Sequence, residues 1–482
     1  MLAYLLVAFL TANFIQTHQH VNIILVALFI SASLAGVLGI FQYIGLDFFQ
    51  TSLGRSLILP AEFKPFADEL TFHFGKHTIY GTFYNTNYVG SYTAMLLPLS
   101  IVLLYFFKER PYLYGTFAFS CLMFAMLIGS NSRAGLVGTF VALLIIIAFL
   151  FRSIQTRWRL SLGLAASFFT IFIMLNTLSD GKPLRQINSL LPLFLSSASA
   201  TSPATNEFMN INLEIKDIQL GENTVIFIFN GGRKLLFINE NQVVTVQDET
   251  GGKLDYTYDD TKRLYYLQEY PFNQYGFAME DNILFLNTGR LYLSFKLIDD
   301  QFYFINGKGE AVLFEPAESL GFRGREKMGN SRGYIWSRSL PMVKDTFFLG
   351  YGPDTYPIYF PQDEFLAKIL YLQGPFKLVD KPHNMYLQTA INTGLLSLFS
   401  MLTMFGIYMA WSIRLYFRNV FFSYFTAVGT ACFIAICGYL VAGAFNDSLV
   451  SVAPVFWIMF GMGLACNNLS GKGDLQSSLT RQ

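Results

Sequence analysis

The sequence KPHNMYL, at residues 381–387, marks the place where a long polar stretch of the chain ends and an apolar one begins. Residues 180–382 are rich in polar and helix-breaking side chains, and apolar blocks lie on both sides of them. This order predicts a large soluble insert on one face of a bilayer, with the imidazole of His383 where the chain re-enters it. We therefore expect chemistry or recognition at a membrane surface.

The composition supports a membrane protein. Of the 482 residues, 53% are hydrophobic and only 13% are charged, whereas soluble domains carry about 25% charged residues. The net charge of +1 gives no basis for nucleic-acid binding. The insert has no cysteine, which excludes a disulfide framework or a thiolate metal site there. The histidines show no metal-ligand spacing, so we expect neither a metal nor a cofactor.

Apolar stretches long enough to cross a bilayer, roughly 20 residues each, predict nine spans. They form an N-terminal membrane region at 1–176 and a C-terminal one at 385–467, followed by a tail at 468–482. The first span is short and places Met1 outside, which indicates either that upstream helices are missing or that the count is off by one. The spans lie near residues 2–16, 21–45, 88–107, 112–129, 134–151, 160–176, 385–410, 420–443 and 451–467.

Basic residues in the short loops predict the orientation, because Lys and Arg accumulate on the cytoplasmic side. The loops 46–87, 130–133 and 444–450 and the large insert then face outward, and the C-terminal tail is cytoplasmic. The basic residues that define the cytoplasmic side are Lys108, Arg110, Arg152, Arg157, Arg159, Arg414 and Arg418.

The insert contains a predicted small all-β domain at residues 206–318, after a linker at 177–205. Alternating strands with Asn-Gly turns between them favour a sandwich or barrel. They include VIFIF (225–229), KLLFI (234–238), VVTV (243–246), LDYTY (254–258) and LYLSF (291–295). We find no catalytic constellation in this domain and expect it to bind an acceptor or a partner, or only to act as a spacer.

Arg133 lies in GSNSRAG (129–135), a short outward turn. Asn131 and Ser132 can cap the helix that follows, so backbone N–H groups and a guanidinium would converge on one spot and bind an anion. The alternative is an arginine whose head group extends to the membrane edge.

Arg332 and Trp336 lie one helical turn apart in SRGYIWSR (331–338), which we interpret as an amphipathic helix on the outer surface. It belongs to a catalytic loop at 319–384. Arg338 is a second candidate for binding phosphate, and a solvated basic helix is the alternative. Tyr356, after the tight loop GYGPD (350–354), offers an aromatic face for sugars.

His383 follows a proline suited to the first turn of a helix. An imidazole there could accept a proton from an incoming hydroxyl, although an interfacial anchor is the commoner use. Asn384 would position the histidine or cap its helix, and Asn85 and Asn87 place two amides at another helix entrance. A lipid diphosphate is a ligand that would use all of these groups.

These segments resemble the O-antigen ligase and O-antigen polymerase-like family of bacterial membrane polysaccharide glycosyltransferases. The resemblance is carried by SRGYIW (331–336), GYGPDT (350–355), PHNMYL (382–387) and NTG (392–394), with NSRAG (131–135) and FYNTNY (83–88) upstream. It extends over nearly the whole chain outside the β-insert, which is longer than expected for the family.

The resemblance implies an all-α polytopic membrane fold of the lipid-donor glycosyltransferase type, GT-C-like, in the bacterial plasma membrane. It also implies an undecaprenyl-diphosphate-linked glycan donor and metal-independent transfer to a hydroxyl acceptor. His383 would deprotonate or orient that hydroxyl, while Arg133 and Arg332 hold the diphosphate. Members usually have about twelve spans. The nine spans predicted here, six of them before the insert, would fit a chain that lacks three N-terminal helices.

Two other functions compete with this one. A flippase or transporter of lipid-linked glycan would show charges at mid-depth of the bilayer and repeated broken helices, and the spans have few charges and no internal repeat. A membrane-anchored binding module would have no need of Arg133, Arg332 and His383 together. The motifs do not separate a ligase from a polymerase.

Overall fold

A computed structural model describes residues 2–72, 74–189, 214–240, 243–417, 420–421 and 423–479, with side chains described up to residue 471. Most of the predicted linker at 177–205 and the basic residue Arg418 lie outside these residues.

Fifteen α-helices occur in the described residues, and they are named here in chain order. They are α1 (Leu2–Phe14), α2 (His18–Tyr43), α3 (Ser52–Ile58), α4 (Thr86–Phe106), α5 (Arg110–Gly129), α6 (Arg133–Thr156), α7 (Trp158–Leu178), α8 (Lys182–Asn188), α9 (Met328–Met342), α10 (Tyr356–Tyr359), α11 (Phe365–Ala367), α12 (Met385–Thr393), α13 (Leu395–Tyr416), α14 (Tyr424–Gly443) and α15 (Ala453–Leu479). Short 3₁₀ helices lie at Phe48–Gln50, Ala61–Glu69 and Phe272–Gln274, and a π-helix follows α11 at Lys368–Leu372.

Seven helices in the described residues are long and apolar enough to cross a membrane: α2, α4, α5, α6, α7, α13 and α14. This confirms a multi-pass membrane protein. The predicted spans at 2–16 and 451–467 fall on α1, which has only 13 residues, and on α15, which is not among the seven.

The predicted span at 385–410 is wrong as a single helix. The structure breaks it at Gly394, whose φ of 100° lies in the left-handed region, so that α12 ends at Thr393 and α13 begins at Leu395. A Cβ added at Gly394 would lie 2.6 Å from the Phe348 carbonyl oxygen. The break therefore depends on a segment distant in sequence, which apolar content alone does not reveal.

The chain divides into two compact units. The membrane unit comprises Met1–Ala200, His383–Tyr386 and Leu398–Gln482, and the loop unit comprises Thr201–Pro382 and Leu387–Ser397. Within the membrane unit, α4 and α14 are almost wholly buried, whereas α2 and α7 expose most of their surface. Exposed apolar faces on the outer helices are expected where lipid is the solvent.

The helices α4 and α6 touch backbone to backbone. A Cβ added at Gly135 would lie 2.6 Å from Gly90 Cα, and one added at Gly90 would lie 2.1 Å from Ser132 Oγ. Small residues permit such close approach between helices in membranes, where van der Waals packing replaces the hydrophobic effect. The two glycines thus fix the start of α6 against the first turns of α4.

The described residues of the loop unit form eleven strands in two antiparallel sheets, which confirms the predicted β-rich character of the insert. The strands are β1 (Ile215–Gly221), β2 (Thr224–Phe229), β3 (Lys234–Glu240), β4 (Val243–Asp248), β5 (Tyr256–Asp259), β6 (Leu264–Leu267), β7 (Gly276–Glu280), β8 (Ile283–Asn287), β9 (Tyr292–Ile298), β10 (Gln301–Ile305) and β11 (Ala311–Val312). β1–β4 form one sheet in sequence order, and β5–β11 form the other.

The two sheets share one aromatic core. Phe227 and Phe295 from opposite sheets have ring centroids 6.4 Å apart, and Phe237 and Phe277 are 5.6 Å apart. Phe365 of α11 enters the same core and contacts Phe304 at 5.3 Å. The β-domain is therefore completed by a residue of the following loop, which lies outside the predicted boundary at 318.

The helix α9 differs from the predicted amphipathic surface helix. Tyr334, Ile335 and Met342 belong to a buried cluster, and Ser337 and Ser339 are also fully buried. An interfacial helix keeps a wide polar face in water. The interior of the loop unit instead encloses α9 on more than one side.

Candidate functional site

His383 is paired with Asp447, a residue for which the sequence gave no expectation. His383 Nδ1 lies 2.9 Å from Asp447 Oδ2, and both residues belong to the membrane unit. The Asp447 side chain is 1% exposed, whereas that of His383 is 39% exposed. A buried carboxylate thus holds one side of an imidazole that remains open on the other.

This contact determines which ring nitrogen can accept a proton. An ionised carboxylate only accepts hydrogen bonds, so Nδ1 of His383 carries the hydrogen and donates it to Asp447. The lone pair of a neutral ring is then on Nε2. The second carboxylate oxygen, Asp447 Oδ1, is buried and has no hydrogen-bond partner among the described residues. Such an orphaned acceptor is costly in a low dielectric.

The backbone at His383 is also unusual. Its φ of 50° lies in the left-handed region, a conformation that non-glycine residues adopt at a cost of order 1–3 kcal/mol and often at functional sites. Asn384 follows, and its Oδ1 accepts a hydrogen bond from the Tyr386 N–H at 3.0 Å, which caps the start of α12. Asn384 therefore has the capping role that the sequence offered as one of two possibilities.

Asn446, next to Asp447, connects this corner to α4. Its Nδ2 donates to the Asn87 carbonyl at 3.0 Å and to Ser91 Oγ at 2.8 Å. Asn87 Oδ1 in turn accepts a bond from Ser132 Oγ at 3.4 Å. Successive contacts within the membrane unit thus lead from His383 to the residue immediately before Arg133.

Both helix entrances have a capping side chain, and Ser132 is one of the two residues predicted to cap α6. Asn85 Oδ1 accepts from the Asn87 N–H at 2.9 Å at the start of α4, and Ser132 Oγ accepts from the Gly135 N–H at 3.2 Å at the start of α6. Arg133 is the first residue of α6. The structure therefore brings Asn85, Asn87, Arg133 and His383 into one neighbourhood of the membrane unit.

In the loop unit, Arg332 follows a left-handed turn. Gly329, Asn330 and Ser331 all have φ between 59° and 66°, and regular helix begins with Arg332. Ser331 Oγ donates to the Tyr371 carbonyl. Trp336 Nε1 donates to the Pro382 carbonyl at 2.7 Å. The Ser331-to-Trp336 motif is therefore tied to the residue that precedes His383 in the chain.

The GYG and NTG motifs form one backbone junction. The N–H of Tyr351 donates to the Ile391 carbonyl and the N–H of Gly352 donates to the Asn392 carbonyl, both at 3.0 Å. A Cβ added at Gly350 would lie 2.1 Å from the carbonyl carbon of Asn392. Only glycine fits at position 350, which explains why the two motifs occur together.

Arg338 forms a two-pronged pair with Glu364. Its Nε and Nη2 donate to the two carboxylate oxygens at 2.8 and 2.6 Å, and the guanidinium lies 5.0 Å from the Tyr334 ring centroid. Burial lowers the pKa of Arg338, but the bonds and charge of Glu364 outweigh this and raise it above its ordinary value. Binding of a diphosphate by Arg338 would require this pair to open.

Tyr356 lies inside the loop unit. Its side chain is 1% exposed, and its hydroxyl is 2.7 Å from Ser339 Oγ. A sugar could not contact this ring without movement of the segment, so the position of Tyr356 favours packing over the predicted substrate contact.

Residues 283–402 match the family model described as O-antigen ligase. These residues, named here the ligase-like segment, are similar to that family. The resemblance is thereby confirmed for the segment that holds Arg332, Trp336, the two glycine motifs and His383. No curated protein and no solved structure matches the chain significantly.

The ligase-like segment, residues 283–402, extends over several elements of the structure. It begins at β8, includes the loop from 313 to 382, and ends within α13. Arg133, Asn85, Asn87 and Asp447 lie outside it. Asp447 was missed because it is 64 positions from His383 in a short turn with no motif spacing. The available signal was a carboxylate between two apolar helices, where charge is costly and usually functional.

Proposed function

We propose that the protein is a membrane glycosyltransferase, a polysaccharide ligase or polymerase, that moves a glycan from undecaprenyl-diphosphate to a hydroxyl acceptor. The His383–Asp447 pair carries this proposal, because it joins an accessible imidazole in the ligase-like segment to a buried carboxylate.

In the proposed reaction, Nε2 of His383 accepts the proton of the acceptor hydroxyl. The hydroxyl oxygen forms a bond to the anomeric carbon of the donor sugar, and the bond from that carbon to the diphosphate oxygen breaks. Undecaprenyl-diphosphate leaves with the electron pair. Asp447 stabilises the imidazolium that forms, as carboxylates do in other catalytic triads.

Arg133 and Arg332 have the proposed role of binding the diphosphate. For Arg133 the support is its position at the capped start of α6, beside the Asn87 and Asn446 contacts. For Arg332 the support is its place in the ligase-like segment. Oriented cations stabilise charge as it develops on a leaving group, usually the largest single term in such catalysis. Two guanidinium groups would make the transfer independent of a metal ion.

The proposed fold is GT-C-like, and the proposed location is the bacterial plasma membrane with the insert outside and the C-terminus in the cytoplasm. The basic loops at 108–110 and 152–159 support this orientation. On intact cells expressing a cysteine-free variant, Thr250→Cys should react with an impermeant thiol reagent and Gln155→Cys should not. The reverse labelling would overturn the orientation and the outer-side acceptor with it.

The activity is tested with purified protein in lipid nanodiscs, lipid-linked glycan and a candidate acceptor. We expect a product whose mass equals acceptor plus glycan minus water, formed equally in the presence of EDTA. The His383→Ala variant is the matched control. Glycan that remains lipid-linked in every reaction would contradict transfer, and inhibition by EDTA would contradict metal independence.

A further inference from the structure

A row of polar aromatic side chains crosses the outer face of the seven-stranded sheet, the face opposite the core shared with β1–β4. Tyr266 pairs with Gly276, Gly276 with Asn287, and Asn287 with Tyr292. Residues paired across antiparallel strands share a face of the sheet. The residues next to them in the chain, Phe277, Leu286 and Leu293, lie in the core and therefore on the other face. These four residues, the tyrosine row, therefore lie side by side across β6, β7, β8 and β9.

Asn287 holds both tyrosines of the row. Its Nδ2 donates to the Tyr266 hydroxyl at 2.9 Å and to the Tyr292 hydroxyl at 3.2 Å, and its Oδ1 accepts from the Gly289 N–H at 2.9 Å. Because both phenol oxygens accept, each keeps its own O–H to donate. Neither hydroxyl donates to another group among the residues that the structure describes. The row thus presents two donors at a fixed separation.

The rings have defined supports and an accessible surface. The Tyr266 ring leans over Gly276, where an added Cβ would lie 2.8 Å from the ring, and Lys262 Nζ is 4.7 Å from its centroid. Tyr292 is 74% exposed. Phe285, 38% exposed, is two positions before Asn287 and so shares its face. Gly276 gives the Tyr266 ring room to lie across the sheet.

We propose that the tyrosine row is a glycan-binding site that holds the polysaccharide away from its reacting end. Sugar rings have apolar C–H faces that pack on aromatic rings, and their hydroxyls would accept bonds from the two phenols and Lys262. A lipid or an amphipathic helix would need a continuous apolar patch, whereas the Tyr266 and Tyr292 rings carry hydroxyl groups and lie beside the Asn287 amide and the Lys262 ammonium. The identity of the glycan rests on the proposed function.

The proposal is tested with the full-length protein in nanodiscs and with polysaccharide released by mild acid from the lipid-linked glycan of the host cells. This probe has no diphosphate lipid. We expect binding by the wild type, and binding weaker by about 2–10-fold in Tyr292→Ala, the effect of one aromatic contact. The double variant Tyr266→Ala/Tyr292→Ala should lose more. Tyr292→Phe, which keeps the ring and loses the hydroxyl, should bind with intermediate affinity.

Tyr258→Ala is the matched control. Tyr258 is similarly accessible, 46% exposed, but pairs with Tyr265 and so lies on the opposite face of the sheet. It should bind like the wild type. Equal binding by the double variant, equal losses in the control, or no binding by the wild type would each overturn the proposal.

The outcome is separable from that of the proposed function. The His383→Ala variant should bind the released polysaccharide normally while failing in transfer. Binding without any transfer by the wild type would contradict the proposed function and leave the glycan site supported. Transfer with no binding of the released polysaccharide would contradict the glycan site alone.

Discussion

Two paired carboxylates, Glu364 with Arg338 and Asp447 with His383, differ in how completely each is satisfied. Glu364 gives both oxygens to the guanidinium, and the two side chains are only 4% and 11% exposed. Asp447 is equally buried, but one of its oxygens has no hydrogen-bond partner in the part of the chain that the structure describes, and His383 is 39% exposed. The closed pair is typical of a structural contact. The open pair leaves a ring nitrogen for a substrate.

The largest expected effect is at the open pair. His383→Ala should slow transfer by about 10²–10⁴, the usual contribution of a general base, with donor binding largely intact. Added imidazole should restore part of the rate, which a structural anchor would not predict. The measurement is the transfer rate of correctly inserted protein. Near-normal transfer by this variant would make the imidazole an interfacial anchor and the mechanism wrong.

The proposed diphosphate ligands come next. Arg133→Ala and Arg332→Ala should each slow transfer by about 10²–10³, equivalent to roughly 2.7–4 kcal/mol of lost charge stabilisation. Lysine at either position should rescue only in part, since an ammonium cannot reproduce the guanidinium fork. Steady-state kinetics with lipid-linked donor measure the loss. Full rescue by lysine would show that charge alone matters, and an unchanged rate would remove that arginine from the site.

A smaller effect is expected at the buried carboxylate. Asp447 acts through His383, so Asp447→Asn should reduce kcat by about 10–100-fold, the loss seen when a residue that orients a metal-bound histidine is removed, with little change in KM for the donor. Asn446→Ala is the neighbouring control and should change packing against α4 without this selective loss of kcat. A fall in stability with a normal kcat would assign Asp447 a structural role only.

The closed pair, Arg338 with Glu364, should affect the stability of the protein and not its transfer rate. Arg338→Ala leaves Glu364 buried and unpaired, which should cost about 3–5 kcal/mol of stability while transfer per folded molecule stays near normal. Lys344→Ala breaks the exposed pair with Glu318, whose side chains are 63% and 67% exposed, and should leave the unfolding midpoint unchanged. Lost transfer in a normally stable Arg338→Ala protein would instead support the predicted phosphate contact.

The sequence predicted the features that depend on local pattern. Hydropathy located the helices α2, α4, α5, α6, α7 and α14, because each is an apolar stretch long enough to cross a bilayer. Alternation located β2, β3 and β4, because successive side chains of a strand point to opposite faces. Features set by distant contacts were not predictable. The break at Gly394 depends on Phe348, and the partner of Arg338 lies 26 positions away.

The candidate site also contains residues that a local pattern indicated and residues that only distant contacts bring together. His383, Asn85 and Asn87 were singled out by their places at helix entrances, and their roles in catalysis and substrate binding stay predictions. Asp447 and Asn446 were not, since a turn between two apolar helices has no spacing that relates it to His383. The tyrosine row was also invisible, because it consists of four residues brought into register only by sheet pairing.

A double-mutant cycle on His383 and Asp447 tests most directly whether the open pair acts as one catalytic unit. Transfer rates are measured in nanodiscs for the wild type, His383→Ala, Asp447→Asn and the double variant, each with its unfolding midpoint. Residues that act through one group are strongly non-additive, so the double variant should be no slower than His383→Ala. A further loss equal to that of Asp447→Asn alone would show that the carboxylate acts independently and would contradict the account.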